Sequence, residues 1–527
     1  MRTELVVVGA GPAGLAAALA ADARGVRVTV VDAADGPGGQ FYRQPAAELN
    51  ARRPQALHHQ WRTWERLRDG LAASGVRLLT GHHVWTVTGG PDSFTVHALL
   101  GPRQDEPATV HADAVLLATG SHEHVLPFPG WTLPGVVTAG GAQAMLKGGL
   151  VVPGRVAVVA GTGPLLLPVA TGLAAAGTRV SALVESAGPR QVARHARALA
   201  GKLPEGAGHA ARLLRHRVRP LARHIVVRAH GDDRLTGVTV AALDADGHVR
   251  RGTGRHLPCD TLAVGHGLLP QTDLAEGLGC HLDGSAVTVD AEQRTSAPGV
   301  WAAGEATGVG GAALALAEGH IAGRSAAARL RGTEPDPAGW APAARTREAL
   351  RTAAAALDAA FAPPAHWAAQ VTDDTVVCRC EEVTAGAVRE AADGLGAGDV
   401  RTVKLLTRAG MGWCQGRMCA TAVAGLTGCH SDPPRRPLAR PVPLGILAGT
   451  APDRAAPDRA APDRAAPDRP APDRAAPDRA VSGRPVSASD RSPSEQASTG
   501  GLSSDRPPHG RLSRDQNPPE AFEEGSP

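Results

Sequence analysis

Four of the chain's seven cysteines crowd into one stretch: Cys378-Arg379-Cys380 and, after thirty-three intervening residues, Cys414 and Cys419. Four thiolates in two close pairs are a ligand set for a [2Fe–2S] cluster or for a Cys₄ zinc ion. Zinc sites usually separate the members of each pair by two to four residues. The single-residue gap at Cys378–Cys380 therefore weighs toward iron and sulfur without removing zinc. Arg379, Arg408 and Arg417 are near enough in sequence to offset the negative charge of such a centre, or to be ordinary solvated side chains. Gly410, Gly412 and Gly416 offer backbone N–H groups to the sulfurs. Cys429 lies outside the pattern, and Cys259 and Cys280, with no redox-pair spacing, read as small core residues.

A second chemistry is nucleotide binding. Gly9-Ala10-Gly11-Pro12-Ala13-Gly14 follows the apolar run ELVVV. Gly9 permits a tight turn, Gly11 lets a pyrophosphate reach the backbone, and Gly14 lets the helix lie close to the strand. The helix N-terminus then presents free N–H groups and a partial positive charge to the phosphates. Asp32 ends the next apolar run, VRVTVV, where a ribose-binding acid belongs. This unit alone does not separate a flavin from a nicotinamide dinucleotide. The pattern recurs: Gly161-Thr162-Gly163 follows RVAVVA, and Glu185 ends TRVSALV. The acid stands 24 residues after the first glycine there and 23 in the first unit. Glu185 favours NAD over NADP, because a carboxylate repels a 2′-phosphate. Leu166 replaces the third glycine and should hold the helix away from the strand, so NAD, another nucleotide and an empty repeat all stay open.

These residues need particular elements to hold them. A strand, Gly-rich turn, helix and strand fit 4–32 and again 155–185. Apolar β-rich segments at 73–88 and 94–120 end in VLLATG, an Arg- and Ala-rich stretch at 189–223 reads as helical, and 224–290 alternates short strands and turns. A strand end, Gly-rich turn and helix fit 298–330, and 333–370 reads as a connector with one helix. The 527 residues allow roughly three to four domains, and 43% hydrophobic residues exclude whole-chain disorder. A formal charge of +4 and 3% aromatics give nucleic acid and anionic membranes neither an electrostatic nor a stacking basis. The uncharged run from Val156 to Thr178 contains Gly161, Gly163, Pro164 and Pro168, which suit a strand-turn-helix better than a membrane span. The expected location is cytoplasmic, at most peripheral to a membrane through partners. From about Thr450 the composition changes, and APDRA or a close variant occurs six times over 451–480. Proline every fifth residue and almost nothing apolar predict a disordered tail.

Taken together, the motifs resemble the two-dinucleotide-binding flavoproteins of glutathione-reductase-like fold. That resemblance implies FAD at the first site, with Ala118-Thr119-Gly120 closing the first FAD segment and Ala303-Gly304-Glu305 contacting the flavin ribityl and pyrophosphate. Glu305 stands where the usual acid is Asp. It places a nicotinamide-type domain at the second site. Disulfide reductases of this fold need a redox cysteine pair near the flavin, and residues 1–258 contain no cysteine. The cysteine stretch is similar to the [2Fe–2S] domain of bacterioferritin-associated ferredoxin. The whole order resembles the FAD-binding α (A) chains of heteromeric amino-acid and opine dehydrogenases, over roughly 3–447. GGQFYRQP (38–45, including Gln40), GWTLPGVVTAGGAQ (130–143), AAGEATGVGGAALALAEGHIAG (302–323) and RPVPLGILA (440–448) carry that likeness.

The implied fold class is α/β. An FAD domain in two segments (1–150 and 281–332) has an NAD(P)-type domain inserted at 151–280, followed by a linker (333–370), a [2Fe–2S] domain (371–448) and a tail (449–527). The expected cofactor residues are Gly9, Gly11, Gly14, Asp32, Gln40, Thr119, Gly120, Gly304 and Glu305 for FAD, with Gly161, Gly163 and Glu185 at the second site. The expected cluster ligands are Cys378, Cys380, Cys414 and Cys419. The resemblance further implies a separate FAD-containing β subunit that oxidises an amine or amino acid. Two other readings stand beside it: a self-sufficient NADH-dependent flavoprotein reductase, and a non-enzymatic ferredoxin-like or zinc scaffold. No general acid or base stands out; His122, Glu123 and His124, just after Gly120, are loop or surface residues on the plainer reading.

Overall fold

The computed structural model describes residues 2–429 and 438–450. The tail expected over 449–527 lies, but for its first two residues, outside the described residues. β1 (Arg2–Val8) is a near-continuous apolar run because both faces of its sheet are covered. The glycine turn leads into α1 (Pro12–Asp22) and back to β2 (Val28–Val31), parallel to β1 with Leu5 opposite Val28. α2 (Trp61–Ala73) and β3 (Arg77–Leu79) extend the sheet, and the meander β4 (His83–Gly90), β5 (Ser93–Leu100) and β6 (Glu106–Leu117) completes it in the order β3-β2-β1-β6-β5-β4. β6 runs antiparallel to β5 and parallel to β1, with Val115 beside Val6. It delivers Ala118-Thr119-Gly120 beside the first glycine turn.

β7 (Ser121–Glu123), β8 (Val136–Thr138) and α3 (Ala139–Gly149) lead into the second unit. β9 (Val156–Gly161), α4 (Leu166–Ala175) and β10 (Arg179–Glu185) repeat the first strand-helix-strand. The stretch 189–223 is not one helix. Pro189 opens α5 (Pro189–Arg194), α6 (Ala196–Leu199) is a single turn, and Pro204 lies in the first turn of α7 (Leu203–Arg215). Arg217, in the left-handed region at φ +54°, then turns the chain into β11 (Arg219–Ala222) on the edge beside β10. An antiparallel trio, β12 (His224–His230), β13 (Gly237–Ala242) and β14 (Arg255–Pro258), precedes β15 (Thr261–Gly265), which slots between β9 and β8.

The chain then returns to the first unit. β16 (Leu268–Pro270) pairs with β7, α8 (Asp273–Gly277) follows, and a hairpin of β17 (Leu282–Asp283) and β18 (Ala286–Val287) leads to β19 (Val300–Ala302) beside β6. α9 (Ala312–Arg331) packs along α1. The connector forms a 24-residue helix, α10 (Pro337–Ala360), which lies against α9 and also meets α5 and α6. The cysteine region builds its own small core, with Val377, Val388, Val403 and Ala422 fully or almost fully buried. Its elements are β20 (Val376–Cys378), β21 (Val383–Thr384), α11 (Ala385–Arg389), α12 (Val400–Thr407) and α13 (Ala420–Thr427). After residue 437, Ala439 N–H bonds Trp85 O of β4 and Arg440 reaches Gln104 Oε1 before α14 (Leu444–Thr450). Among the described residues no helix is long and apolar enough to cross a membrane.

Candidate functional site

The first glycine turn is packed from two sides. Gly9 has φ +109°, and a Cβ there would sit 2.2 Å from Ala118 O; a Cβ on Gly14 would sit 1.8 Å from Gly9 O. These contacts explain why strand, turn and helix can close only on hydrogen. Asp32 Oδ2 accepts from Ala10 N–H at 2.5 Å and Oδ1 from Ala34 N–H at 2.7 Å, so the acid is held at the mouth of the turn. Gly38 N–H donates to Ala10 O at 2.8 Å, which brings the 38–45 loop onto Gly11. Gln40 in that loop is exposed and accepts from Arg43 Nη2 at 2.8 Å. Thr119 Oγ1 donates to Gln271 O at 2.6 Å, and Glu305 accepts from Ser121 Oγ. Gly9, Gly11, Gly14, Asp32, Thr119, Gly120, Gly304 and Glu305 thus surround one region at the ends of β1, β6 and β19.

The donor set fits FAD. α1 begins at Gly11 with neither a side-chain cap nor an acid in its first turn, so its leading N–H groups and dipole are left for an anion such as a pyrophosphate. The 20-residue α9 likewise begins without a side-chain cap. Behind this region lies a pair that no local pattern announced. Glu318, 1% exposed, accepts from Gly304 N–H and Thr307 Oγ1 at 3.0 Å each and pairs with Arg351 Nη2 at 2.6 Å. Arg351, from the connector helix α10, also donates to Gly308 O at 2.9 Å. Burial pushes the Glu318 carboxyl above its usual range despite that guanidinium. The connector therefore clamps the 304–308 turn.

The second unit is a looser copy. Gly163 N–H donates to Glu185 Oε2 at 3.0 Å and Ala187 N–H to Oε1 at 2.9 Å, so Gly161, Gly163 and Glu185 are together. Burial pushes Glu185 up to about 7. α1 opens with Leu15 N–H to Gly11 O, an α-type bond, whereas α4 opens with Leu166 N–H to Gly163 O and Leu167 N–H to Pro164 O. Those shorter-range bonds start the second helix five residues after its first glycine, against three in the first unit, and Leu166 is buried in the core. The mouth is also covered. Thr162 Oγ1 donates to Phe361 O at 3.1 Å, and Trp367 and Gln370 line a cavity of about 20 Å³ with Gly161 and His266. His266, pushed down to about 3 by burial and by His124, is held neutral. Glu123 accepts from Gly140 N–H at 2.7 Å and so helps cap α3.

The four cysteines converge. Cys380 and Cys414 sulfurs lie 3.8 Å apart, the spacing of two ligands on one tetrahedral metal with bonds of about 2.3 Å. Gly410 N–H donates to Cys378 Sγ at 3.4 Å, and a Cβ on Gly410 would be 3.9 Å from Cys419 Sγ. Burial, then neighbouring Cys378, pushes the Cys419 thiol up. Among the described residues no three metal-ligating side chains close around a single ion. The set fits a cluster with its ligands in pairs. Cys378 and Cys419 are buried; Cys380 is exposed, and Trp413 beside Cys414 is 67% exposed, so one side opens to solvent. Arg408 pairs with Glu381 and Arg417 with Asp273, while Arg379 lies over the Trp131 ring at 5.8 Å. Two of the three arginines expected to offset cluster charge thus face carboxylates. Cys259 and Cys280 are buried in separate cores, and burial pushes Cys259 up to about 12, so neither reads as a redox thiol.

The model of the pyridine nucleotide-disulphide oxidoreductase family matches residues 3–326, and that of the BFD-like [2Fe-2S] binding domain matches 376–426. The chain belongs to that oxidoreductase family: it is an FAD flavoprotein of two-dinucleotide-binding fold with a BFD-like domain at its C-terminal side. Within the family, hydrogen cyanide synthase subunit HcnB of Pseudomonas aeruginosa is 34% identical over 443 residues, 80% of this chain and 91% of HcnB. The A chain of opine oxidase from Agrobacterium tumefaciens is 33% identical over 439 residues, 80% of this chain and 84% of that one. The crystal structure of L-proline dehydrogenase from P. horikoshii superposes with a TM-score of 0.59 at 19% identity, covering 85% of this chain and 79% of that one, a likeness of fold.

Proposed function

We propose that this chain is the electron-relaying subunit of a dehydrogenase that oxidises an amine or amino acid through a separate flavoprotein subunit. Bound FAD and a [2Fe–2S] cluster would supply exchange between paired and single electrons. Gly9, Gly11, Gly14, Asp32, Gly304 and Glu305, with Gln40, Thr119 and Gly120 around them, would hold the flavin. Cys378, Cys380, Cys414 and Cys419 would hold the cluster. The observation that carries the reading is the coexistence, on one folded body, of the uncapped α1 turn and the four-thiol set. HcnB and the opine oxidase A chain, by their names subunits of larger enzymes, support the partner. The chain's own residues bind, orient and shield: Glu318 and Arg351 fix the 304–308 turn, and the open edge at Cys380 and Trp413 gives a partner access.

An NADH-driven reductase would need a dinucleotide at Gly161–Gly163, where Phe361 O, Trp367 and Gln370 now sit. The deciding experiment is co-purification with the product of a neighbouring gene, followed by a visible spectrum and iron and flavin assays. The expected result is a coloured complex that one amine or amino acid bleaches only when both subunits are present. A colourless chain, or bleaching by NADH alone, would overturn the proposal.

A further inference from the structure

We infer that Gln271, Asp273 and Arg417 are positioning residues that hold the cluster-binding loop in a fixed place relative to the flavin-binding turn. This rests on the cofactor reading above and adds the device that sets the geometry between the two sites. The chain of contacts is continuous. Thr119 Oγ1 donates to Gln271 O at 2.6 Å, and Gln271 N–H donates back to Gly120 O at 2.9 Å. The Gln271 side-chain amide donates to Asp273 Oδ2. The same oxygen accepts from Arg417 Nη2 at 2.8 Å and Nε at 3.1 Å. Arg417 Nη1 then donates to the carbonyl of the ligand Cys414 at 3.2 Å, and Nη2 also reaches Ala439 O.

The Asp273 and Arg417 side chains are only 7% and 18% exposed. The planar guanidinium has its donors directed three ways, to Asp273, Cys414 and Ala439, so its orientation leaves little freedom to the loop that carries it. The other ligand limb has its own attachment: Trp131 Nε1 donates to Val376 O at 2.6 Å, two residues before Cys378. Met418, between Arg417 and Cys419, packs against the core that contains Trp131. Each pair of ligands is therefore tied to the nucleotide-binding body by a directional polar contact. A buried ion pair is weak evidence of net stability, since an apolar pair often serves as well. What this one supplies is direction, and it supplies it at a ligand loop.

The test uses the full chain carrying its flavin and iron, with Arg417→Gln, Asp273→Asn and the double variant. Each single change removes one partner of the ion pair and should lower the melting temperature; the double change should recover most of that loss. Iron and flavin contents should stay at wild-type values in the double variant. Its electron transfer between the two centres should nevertheless slow severalfold. The magnetic interaction between the reduced cluster and the one-electron-reduced flavin, read by electron paramagnetic resonance, should weaken too. A double variant with wild-type transfer and magnetic interaction would overturn the inference. Loss of iron from the double variant would also overturn it, by making the pair a retention device. A wild-type chain without flavin or iron would instead end the cofactor reading beneath it.

Discussion

At the scale of single residues, the two acids that end the nucleotide-binding strands share a pattern of backbone partners. Asp32 meets two backbone N–H groups, and Glu185 meets two as well, but burial dominates at Glu185 and raises it to about 7. The folded chain then holds the Glu185 proton to higher pH than the unfolded chain, whose carboxyl titrates near 4.5. Stability should fall as pH rises from about 4.5 to about 7 and then level off, by up to about 3 kcal/mol. Glu185→Gln should abolish that segment of the pH profile, as thermal midpoints across pH 4–8 would show. Arg351→Met should cost about 3–5 kcal/mol by stranding buried Glu318, and should loosen flavin by freeing the Gly304 turn. Adding Glu318→Gln should return much of the stability, and the flavin-to-protein ratio after gel filtration would read the rest. Cys419→Ser should strip iron while leaving flavin bound, which paired metal and flavin assays would check. The four cysteines and both acids were legible in the chain because each announces itself by spacing. Glu318, Arg351, Asp273 and Arg417 were not, since their partners lie 33 and 144 positions away and no periodicity marks them.

At the scale of elements, the two strand-turn-helix-strand units could be read in advance because glycine turns sit between apolar runs that end in an acid. Gly14→Ala places a Cβ 1.8 Å from Gly9 O, so the change should cost about 1–3 kcal/mol and lower flavin occupancy, measured by melting and by spectrum. The altered start of α4 was foreshadowed by Leu166, although the consequence differs from a simple outward shift. The helix begins later, on tighter bonds, and the leucine enters the core. The helical reading of 189–223 fits residues 189–215, which fold as a series of short helices, and fails only at its end, where Arg217 turns the chain into an edge strand. The connector's helix was visible, but its role was not. Alanine-rich sequence gives no sign of which surfaces a helix will cover, and α10 covers two.

At the scale of the whole molecule, the segment following α10 lies over the second nucleotide unit while Arg351 within α10 fixes the first. NADH should therefore fail to bleach the flavin of the isolated chain, and equilibrium dialysis should show no NADH retained. Trp367→Ala should raise any measurable NADH binding, since that ring lines the cavity beside Gly161. Because α10 holds the first turn and the segment directly after it meets the second, the proposed route of charge would be insulated from the cell's balance of oxidised and reduced nicotinamide. Under the proposed function, its pace would answer to the supply of fuel at the companion chain, and a glut of reducing power elsewhere in metabolism would find no lever here.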